Sequence, residues 1–260
     1  MLIFACNKRN HQNKNDMKHT ITTLFLLLLL AVAGMAKAQS FQPYKSGVIP
    51  YHGYAYPIVP GTETWKQIDY PQRVASLQLP VDTLRNISTA RLLETCLYYP
   101  FNIDIFAFDD QLGSFGRVKH QFNGYAELYQ RTDFVQQLIS FYNSRNVSYV
   151  DQIALDYDRG LYAFDYTIME FMFTDAVPLA SNAQSAQIAT LLLDKTDQKA
   201  QNRVYGSTNR ITLGLAIGRC LQRTNTFADY QGSTLQGFLQ SGKLANPSDL
   251  DYIFNKARTL

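Results

Sequence analysis

Two carboxylates are candidates for chemistry because of their setting. Asp165 and Glu170 lie in Leu161–Phe173 (LYAFDYTIMEFMF), a run that is apolar nearly all round. Burial disfavours the charged form of a carboxyl and can shift it toward acid/base work. Glycoside hydrolysis uses two such groups, about 5 Å or about 6.5–9.5 Å apart depending on the stereochemical outcome. Five residues turn a helix by about 140°, however, so these two cannot point into one site together. The competing reading is that each pairs with an arginine from a neighbouring element. Asp109-Asp110 and Asp156-Tyr157-Asp158 read as helix-end or turn acids. Asp156, Asp158 and Gly160 supply only a fragment of a calcium loop, which needs more oxygen ligands at set spacings.

Other chemistry is poorly provided for. After residue 38 the chain has two histidines, His52 and His120, and neither HExxH nor CxxC occurs. A zinc site needs three or four compatible ligands, so no metal is expected. A serine or cysteine nucleophile needs a base within reach, and His120 in its loop is accompanied by no G-x-S-x-G turn. There is no GxxxxGK[ST] or GxGxxG phosphate turn, so no cofactor is expected either. Leu112-Gly113-Ser114-Phe115-Gly116 reads as a glycine-marked helix break.

The unusual compositional feature is aromatic: 17 tyrosines and 16 phenylalanines. Tyrosine gives large, rigid contact area with a polar tip, suited to protein, peptide or sugar surfaces. Tyr98, Tyr99 and Tyr166 sit in apolar runs and read as core. Tyr125 and Tyr129, one helical turn apart, are the surface binding candidates of the body. Tyr51, Tyr54 and Tyr56 are the candidates of the amino-terminal arm. Cys96 and Cys220 could pair as a disulfide in an oxidising compartment. Both lie in apolar helical patterns, where a free cysteine acts as a small hydrophobe.

The elements that must position these residues read as all-α. From Gln39 to Pro60, Pro43, Pro50, Pro57 and Pro60 interrupt any helix, and tyrosines alternate with them. This segment reads as an extended arm, either a strap along the body or a docking arm for a partner. Residues 61–260 then read as a single helical domain. Pro71 opens a short helix, Ser88 or Thr89 caps one carrying Leu92, Leu93, Cys96 and Leu97, and Ile103–Leu112 makes another. Asn123 and Asp133 begin two more, and Leu161–Phe173 reads as the buried central helix. Ser181 with Gln184 forms a capping box opening a helix to about Val204. Ser207 caps Ile211–Leu221, Ser233 pairs with Gln236 in a second box, and Ser248 caps the last helix. That helix carries Leu250, Ile253, Phe254 and Ala257 on one face. The pattern suits an irregular helical bundle or an α-solenoid-like stack of antiparallel pairs, although no fixed sequence period runs through it.

The amino terminus carries an export signal. Lys18 and His19 precede the ten-residue apolar run Leu24–Ala33, and Ala36-Lys37-Ala38 follows as a small-x-small cleavage site. A membrane-spanning helix needs about 20 apolar residues, so residues 1–38 read as a removable signal peptide and no transmembrane anchor remains. Residues 1–16 stand upstream of Met17, which heads a more ordinary signal and is the expected start, the alternative being that residues 1–16 form a long amino-terminal region of the signal itself. Residues 1–38 hold five basic residues and one acidic, leaving 19 basic and 20 acidic of the chain's 24 and 21. A near-neutral chain offers nucleic acid no counterion-release footprint, so nucleic acid is not an expected partner.

Pro60-Gly61-Thr62 with Trp65, Ser88-Thr89 leading to Leu92, Cys96 and Tyr99-Pro100, then Asp104, Phe106-Ala107-Phe108, Phe122-Asn123-Gly124, Glu127-Leu128, Arg131 and Asp133 form a further pattern. Over residues 60–142 it resembles a family of exported helical proteins of unknown function from Bacteroidota. The resemblance implies a periplasmic or secreted location and carries no activity. The expectation is therefore a non-enzymatic exported protein that binds a protein or peptide partner, with a glycan possible. The alternative is a carboxylate-dependent glycan hydrolase using Asp165 and Glu170.

Overall fold

The computed structural model describes residues 41–47, 49–107, 110–206, 209–227 and 234–260. The expected signal peptide, the Met17 start, and the caps at Ser207 and Ser233 lie outside the described residues. The chain divides into a unit ending at Phe41 and one running from Gln42 to Leu260. The second unit holds all the helices below.

Among the described residues every regular element is helical. Short helices come first: α1 (Glu63–Gln67), α2 (Tyr70–Ser76), α3 (Val81–Asn86) and α4 (Thr89–Leu97). A 3-10 segment, Pro100–Ala107, leads to α5 (Gln111–Gln121), α6 (Asn123–Leu128) and α7 (Phe134–Ser144). A second 3-10 segment, Val147–Gln152, precedes the long α8 (Asp156–Ala176). Then follow α9 (Asn182–Lys199), a 3-10 turn at Arg203–Tyr205, α10 (Asn209–Arg223), α11 (Thr234–Ser241) and α12 (Ser248–Ala257).

The local signals explain most boundaries. Asp69 and Gln72 form a capping box on α2, with Pro71 in its first turn. The Ser88 side chain accepts the Arg91 N–H to open α4. Ser181 and Gln184 form the expected capping box on α9. That helix ends at Lys199, and only the short 3-10 turn reaches Val204.

Four expectations are corrected. Ile103–Leu112 does not form one element: Ile103–Ala107 belongs to the 3-10 segment, and Gln111 and Leu112 begin α5. The glycines at 113 and 116 do not break α5, because Asp110 caps it on the Gly113 N–H (2.9 Å) and buried Phe115 and Val118 anchor it. Asn123 does not cap α6. Its amide is engaged with the Leu79 backbone, accepting at 2.9 Å and donating at 2.8 Å, and tertiary pairing outcompetes the local cap. Ser248 is the first residue of α12, whose cap position is Pro247.

Helix α8 is about 31 Å long at 1.5 Å per residue and is the axis of the domain. All ten residues from Asp165 to Thr174 are buried. It packs against α4, α7 and α10. Helix α10 in turn packs against α8, α9, α11 and α12. Elements gather round two central helices rather than stacking in a row, so the architecture is an irregular bundle. Gly214 and Gly218, one turn apart on α10, admit the neighbouring helices closely. A Cβ at Gly218 would lie 2.5 Å from Leu239 Cδ2 and 3.1 Å from Ile253 Cδ1.

The arm is a strap. Its first half lies on α8, where Asp158 accepts the N–H groups of Lys45 and Ser46, both at 2.9 Å, and the Ser46 hydroxyl. Its second half lies on α4. His52 N–H donates to Glu94 (3.0 Å), Tyr54 N–H to Thr95 Oγ1 (2.8 Å), and Arg91 to the His52 carbonyl (2.8 Å). Tyr44 and Tyr56 are buried beneath it. Proline lowers the entropy cost of holding such a segment extended.

Candidate functional site

The two candidate carboxylates stand where the sequence places them, on the fully buried stretch of α8, and each is engaged by partners from other elements. Asp165 Oδ2 accepts from Arg145 Nη2 (2.6 Å), from the Tyr98 hydroxyl (2.8 Å) and from the Tyr44 hydroxyl. Arg145 Nη2 also reaches the Tyr44 oxygen at 3.0 Å, and the guanidinium lies 4.4 Å from the Tyr162 ring centroid. Asp165 Oδ1 has no hydrogen-bond partner among the described residues. Burial alone would lower the Arg145 guanidinium, but Asp165 beside it holds it well above its ordinary value. Burial and the adjacent Asp165 charge both push the Tyr44 and Tyr98 hydroxyls up, so they remain neutral donors.

Glu170 faces a different set. Its Oε1 accepts from the Tyr142 hydroxyl (2.8 Å) and forms an ion pair with Lys199 of α9. The partner is a lysine, where the sequence reading expected an arginine. Lys195, one turn earlier, donates to the Arg145 carbonyl at 2.6 Å, which also accepts from the Tyr166 hydroxyl at 2.9 Å. The Lys199 ammonium lies 5.5 Å from the Tyr166 ring. The two pairs therefore belong to one buried polar network joined through Tyr166, with each carboxylate opening to its own side of α8. A buried network of this kind holds its helices together, because an unpaired charge there would cost several kcal/mol.

The network gives a pH signature. Burial raises the Asp165 carboxyl from 3.8 to about 6, with Arg145 and the two tyrosine hydroxyls pulling against it. A carboxyl with a folded-state pKa above its unfolded value binds its proton more tightly in the folded protein. Its stabilisation is present in full below about pH 4 and is lost as pH rises through about 6. Asp158 runs the other way. Burial alone would raise it, but the donors from Ser46 and Lys45 hold it below the usual carboxylate range. Comparison of wild type with Asp165→Asn isolates the first effect. Urea denaturation should show the wild type gaining about 1 kcal/mol on the variant between pH 7 and pH 5. A pH-independent difference would mean that Asp165 does not change its proton affinity on folding.

The tyrosine candidates are only partly where a binding surface would need them. Tyr125 is fully buried, its hydroxyl donating to Asn102 (2.9 Å) and the Cys96 carbonyl (3.0 Å), so it is corrected to core. Tyr56 is likewise buried, its ring against Phe122. Tyr51 and Tyr54 are half-buried. The Tyr51 hydroxyl donates to the Tyr54 carbonyl, and its ring packs edge-on to Tyr98. Tyr129 is half-buried against Phe134. Aromatic alternation in the arm thus serves the strap. Cys96 and Cys220 are both free and buried, so the possible disulfide is corrected to two core thiols. His120 is exposed at the end of α5 rather than in a loop.

The described surface has a groove that the sequence reading did not identify. It lies between the carboxy-terminal end of α9, the Arg203–Tyr205 turn, the start of α10 and the end of α12, with a volume of about 280 Å³. Lys199, Arg210 and Arg258 line it against a single acid, Asp197, and Tyr205, Leu213 and Phe254 supply its apolar surface. Arg210 lies 5.3 Å from the Phe254 ring centroid. At the rim, Arg210 pairs with Asp251 (2.7 Å) and Arg258 with Asp197 (2.6 Å). All four of these side chains are about half exposed or more, and such pairs are worth only about 0–1 kcal/mol. Their cations can exchange one carboxylate for another at little cost. Lys199 is different: it is 5% exposed and held by Glu170.

Among the described residues no three His, Cys, Asp or Glu side chains converge as a metal site, and no helix is long and apolar enough to cross a membrane. Comparison with the profiles of protein families, with curated proteins and with solved structures gave no match to this chain.

Proposed function

We propose that this chain is an exported, non-enzymatic helical protein that binds a protein or peptide partner in the cell envelope or outside it. The observation that carries the reading is the groove at the α9–α10–α12 end, with two exposed arginine–aspartate pairs at its rim and apolar surface within. Charge at the rim and apolar surface within suit a polypeptide ligand, which brings both. The reading of Asp165 and Glu170 as a catalytic pair loses support, because both are engaged in separate buried ion pairs. Export rests on the charged start, the Leu24–Ala33 run and the Ala36-Lys37-Ala38 cleavage signature. The near-neutral balance of residues 39–260 gives no support to a nucleic-acid partner.

The arm enters this proposal as structure rather than as a docking element. With Tyr44 and Tyr56 buried, removal of residues 39–60 should unfold or loosen the domain rather than leave it intact.

The test is a thermal-shift screen of the purified chain against random-sequence peptides and envelope glycans. A ligand at 100 times its dissociation constant adds about 2.7 kcal/mol, or roughly 5–10 °C for a protein of this size. Shifts with peptides and none with glycans are the expected result. Glycan turnover that disappears in Glu170→Gln, with the fold retained, would replace this reading with the hydrolase.

A further inference from the structure

We infer that Asp158 is a charge-dependent latch on the amino half of the strap: its ionised carboxylate holds residues 42–47 on α8, and without that charge they lift and uncover the buried Arg145–Asp165 pair. The inference stands apart from what the groove binds.

The two halves of the strap are held by different chemistry. In the carboxyl half Arg91 donates to the His52 carbonyl (2.8 Å) and Tyr54 N–H donates to Thr95 Oγ1 (2.8 Å), with Glu94 accepting only the His52 N–H. The amino half hangs on two carboxylates of one face of α8, Asp158 and Asp165, about two turns apart. Asp158 accepts three donors, the Lys45 and Ser46 N–H groups and the Ser46 hydroxyl. Hydrogen bonds to an ionised acceptor are roughly twice as strong as neutral ones, so this anchor weakens most when the charge goes.

The turn that Asp158 holds is also the cover of the ion pair. Gly47, at φ +64°, closes it, and its N–H donates to the Tyr44 carbonyl at 3.3 Å. Tyr44, Lys45 and Ser46 therefore move as one unit. Tyr44 is 1% exposed, and its hydroxyl lies on Asp165 and 3.0 Å from Arg145 Nη2. Its buried ring keeps the open state scarce, and the Asp158 charge sets how scarce.

The surrounding charges fix the direction. Asp158 lies in the first turn of α8, where the helix end favours an anion. Lys45 comes to it from the strap, its ammonium 4.0 Å from the Tyr157 ring centroid. Asp156 on the same helix is paired with Arg159 (3.4 Å), and Asp151 of the second 3-10 segment accepts from Asn202 (2.6 Å). Burial would raise Asp158, but the Ser46 and Lys45 donors hold it below the usual carboxylate range while the strap is closed. In the open state it returns to about 3.9. Its contribution to closure is complete above about pH 4 and is lost as pH falls through the lower closed-state value. Asp165 acts oppositely and higher: burial favours its protonated form up to about pH 6, so acid in that range tightens the cover.

Amide hydrogen exchange of the purified chain, corrected for intrinsic rates, tests the latch together with phenylglyoxal labelling of Arg145. At pH 7, Asp158→Asn should speed exchange at Lys45 and Ser46 by about tenfold or more, with Tyr54 changing less than about twofold. Arg145, 8% exposed under its cover, should be labelled about tenfold faster in the same variant. In the wild type, protection of Lys45 and Ser46 should fall between pH 5 and pH 3 while that of Tyr54 holds. Should Asp158→Asn fail to fold, this wild-type profile and Ser46→Ala, expected to speed Lys45 exchange severalfold, decide the matter. Faster exchange at Lys45 and Ser46 with Arg145 still protected would mean that only local hydrogen bonds were lost, and overturns the inference. Equal acceleration at Tyr54 would mean that the strap leaves as a whole, and unchanged exchange would mean that Asp158 holds nothing; either result also overturns it.

Discussion

Arg145→Met should lower the unfolding free energy by about 3–5 kcal/mol, the usual result of removing one member of a buried ion pair. Methionine fills similar volume, so the loss is electrostatic rather than a cavity. It leaves the 1%-exposed Asp165 carboxylate with only the Tyr44 and Tyr98 hydroxyls, and it removes the cation from the Tyr162 ring. At roughly 2–4 °C per kcal/mol the melting temperature should fall by about 6–20 °C. Asp165→Leu added to Arg145→Met should restore much of the loss, because replacing both charges by apolar groups is often near neutral. A second readout is the strap. Tyr44 reaches the body through Asp165, so limited proteolysis should cut residues 41–60 faster in the single variant. A loss below about 1 kcal/mol, with the strap still protected, would show that the pair contributes specificity rather than stability.

Lys199→Met is the second large effect, again about 3–5 kcal/mol, because it strips the ammonium from the fully buried Glu170. Glu170→Gln should cost less, since an amide is neutral and can still accept from Tyr142. The two ion pairs share Tyr166, so Arg145→Met and Lys199→Met should not add. Neighbours in one polar network couple by about 0.5–3 kcal/mol, and a double-mutant cycle from urea titrations measures that term. Strict additivity would mean that Tyr166 transmits nothing between the pairs.

Part of this network could have been anticipated from the chain. Asp165 and Glu170 stand on a helix that is otherwise apolar, so each must meet a donor or cation inside the protein. Helix α9 supplies the matching oddity. Its buried stripe runs through Ser185, Ile188, Ala189, Leu192 and Leu193 to Lys195 and Lys199, so two lysines continue an apolar face. Cations at core positions of one helix and acids at core positions of another are complementary signals. Arg145 gives no comparable sign, because it follows α7 in a connecting turn and only the fold brings it to α8. Asp158 reads as an ordinary first-turn acid, yet it anchors the strap.

The sequence by itself determined that the body is helical, that the Leu161–Phe173 part of α8 is its buried stretch, and where the Ser88 and Ser181 caps fall. Those features rest on spacing over three to eight residues and on side chains that satisfy their own helix ends. The tertiary structure alone decided which tyrosines are core, that the two cysteines stay apart, and that the arm is a strap. It also decided that Arg145 and Lys199 neutralise the two carboxylates, and that Arg210 and Arg258 meet at one groove. Each of these depends on residues dozens of positions apart, and chain spacing carries no information about which distant polar groups will be desolvated together.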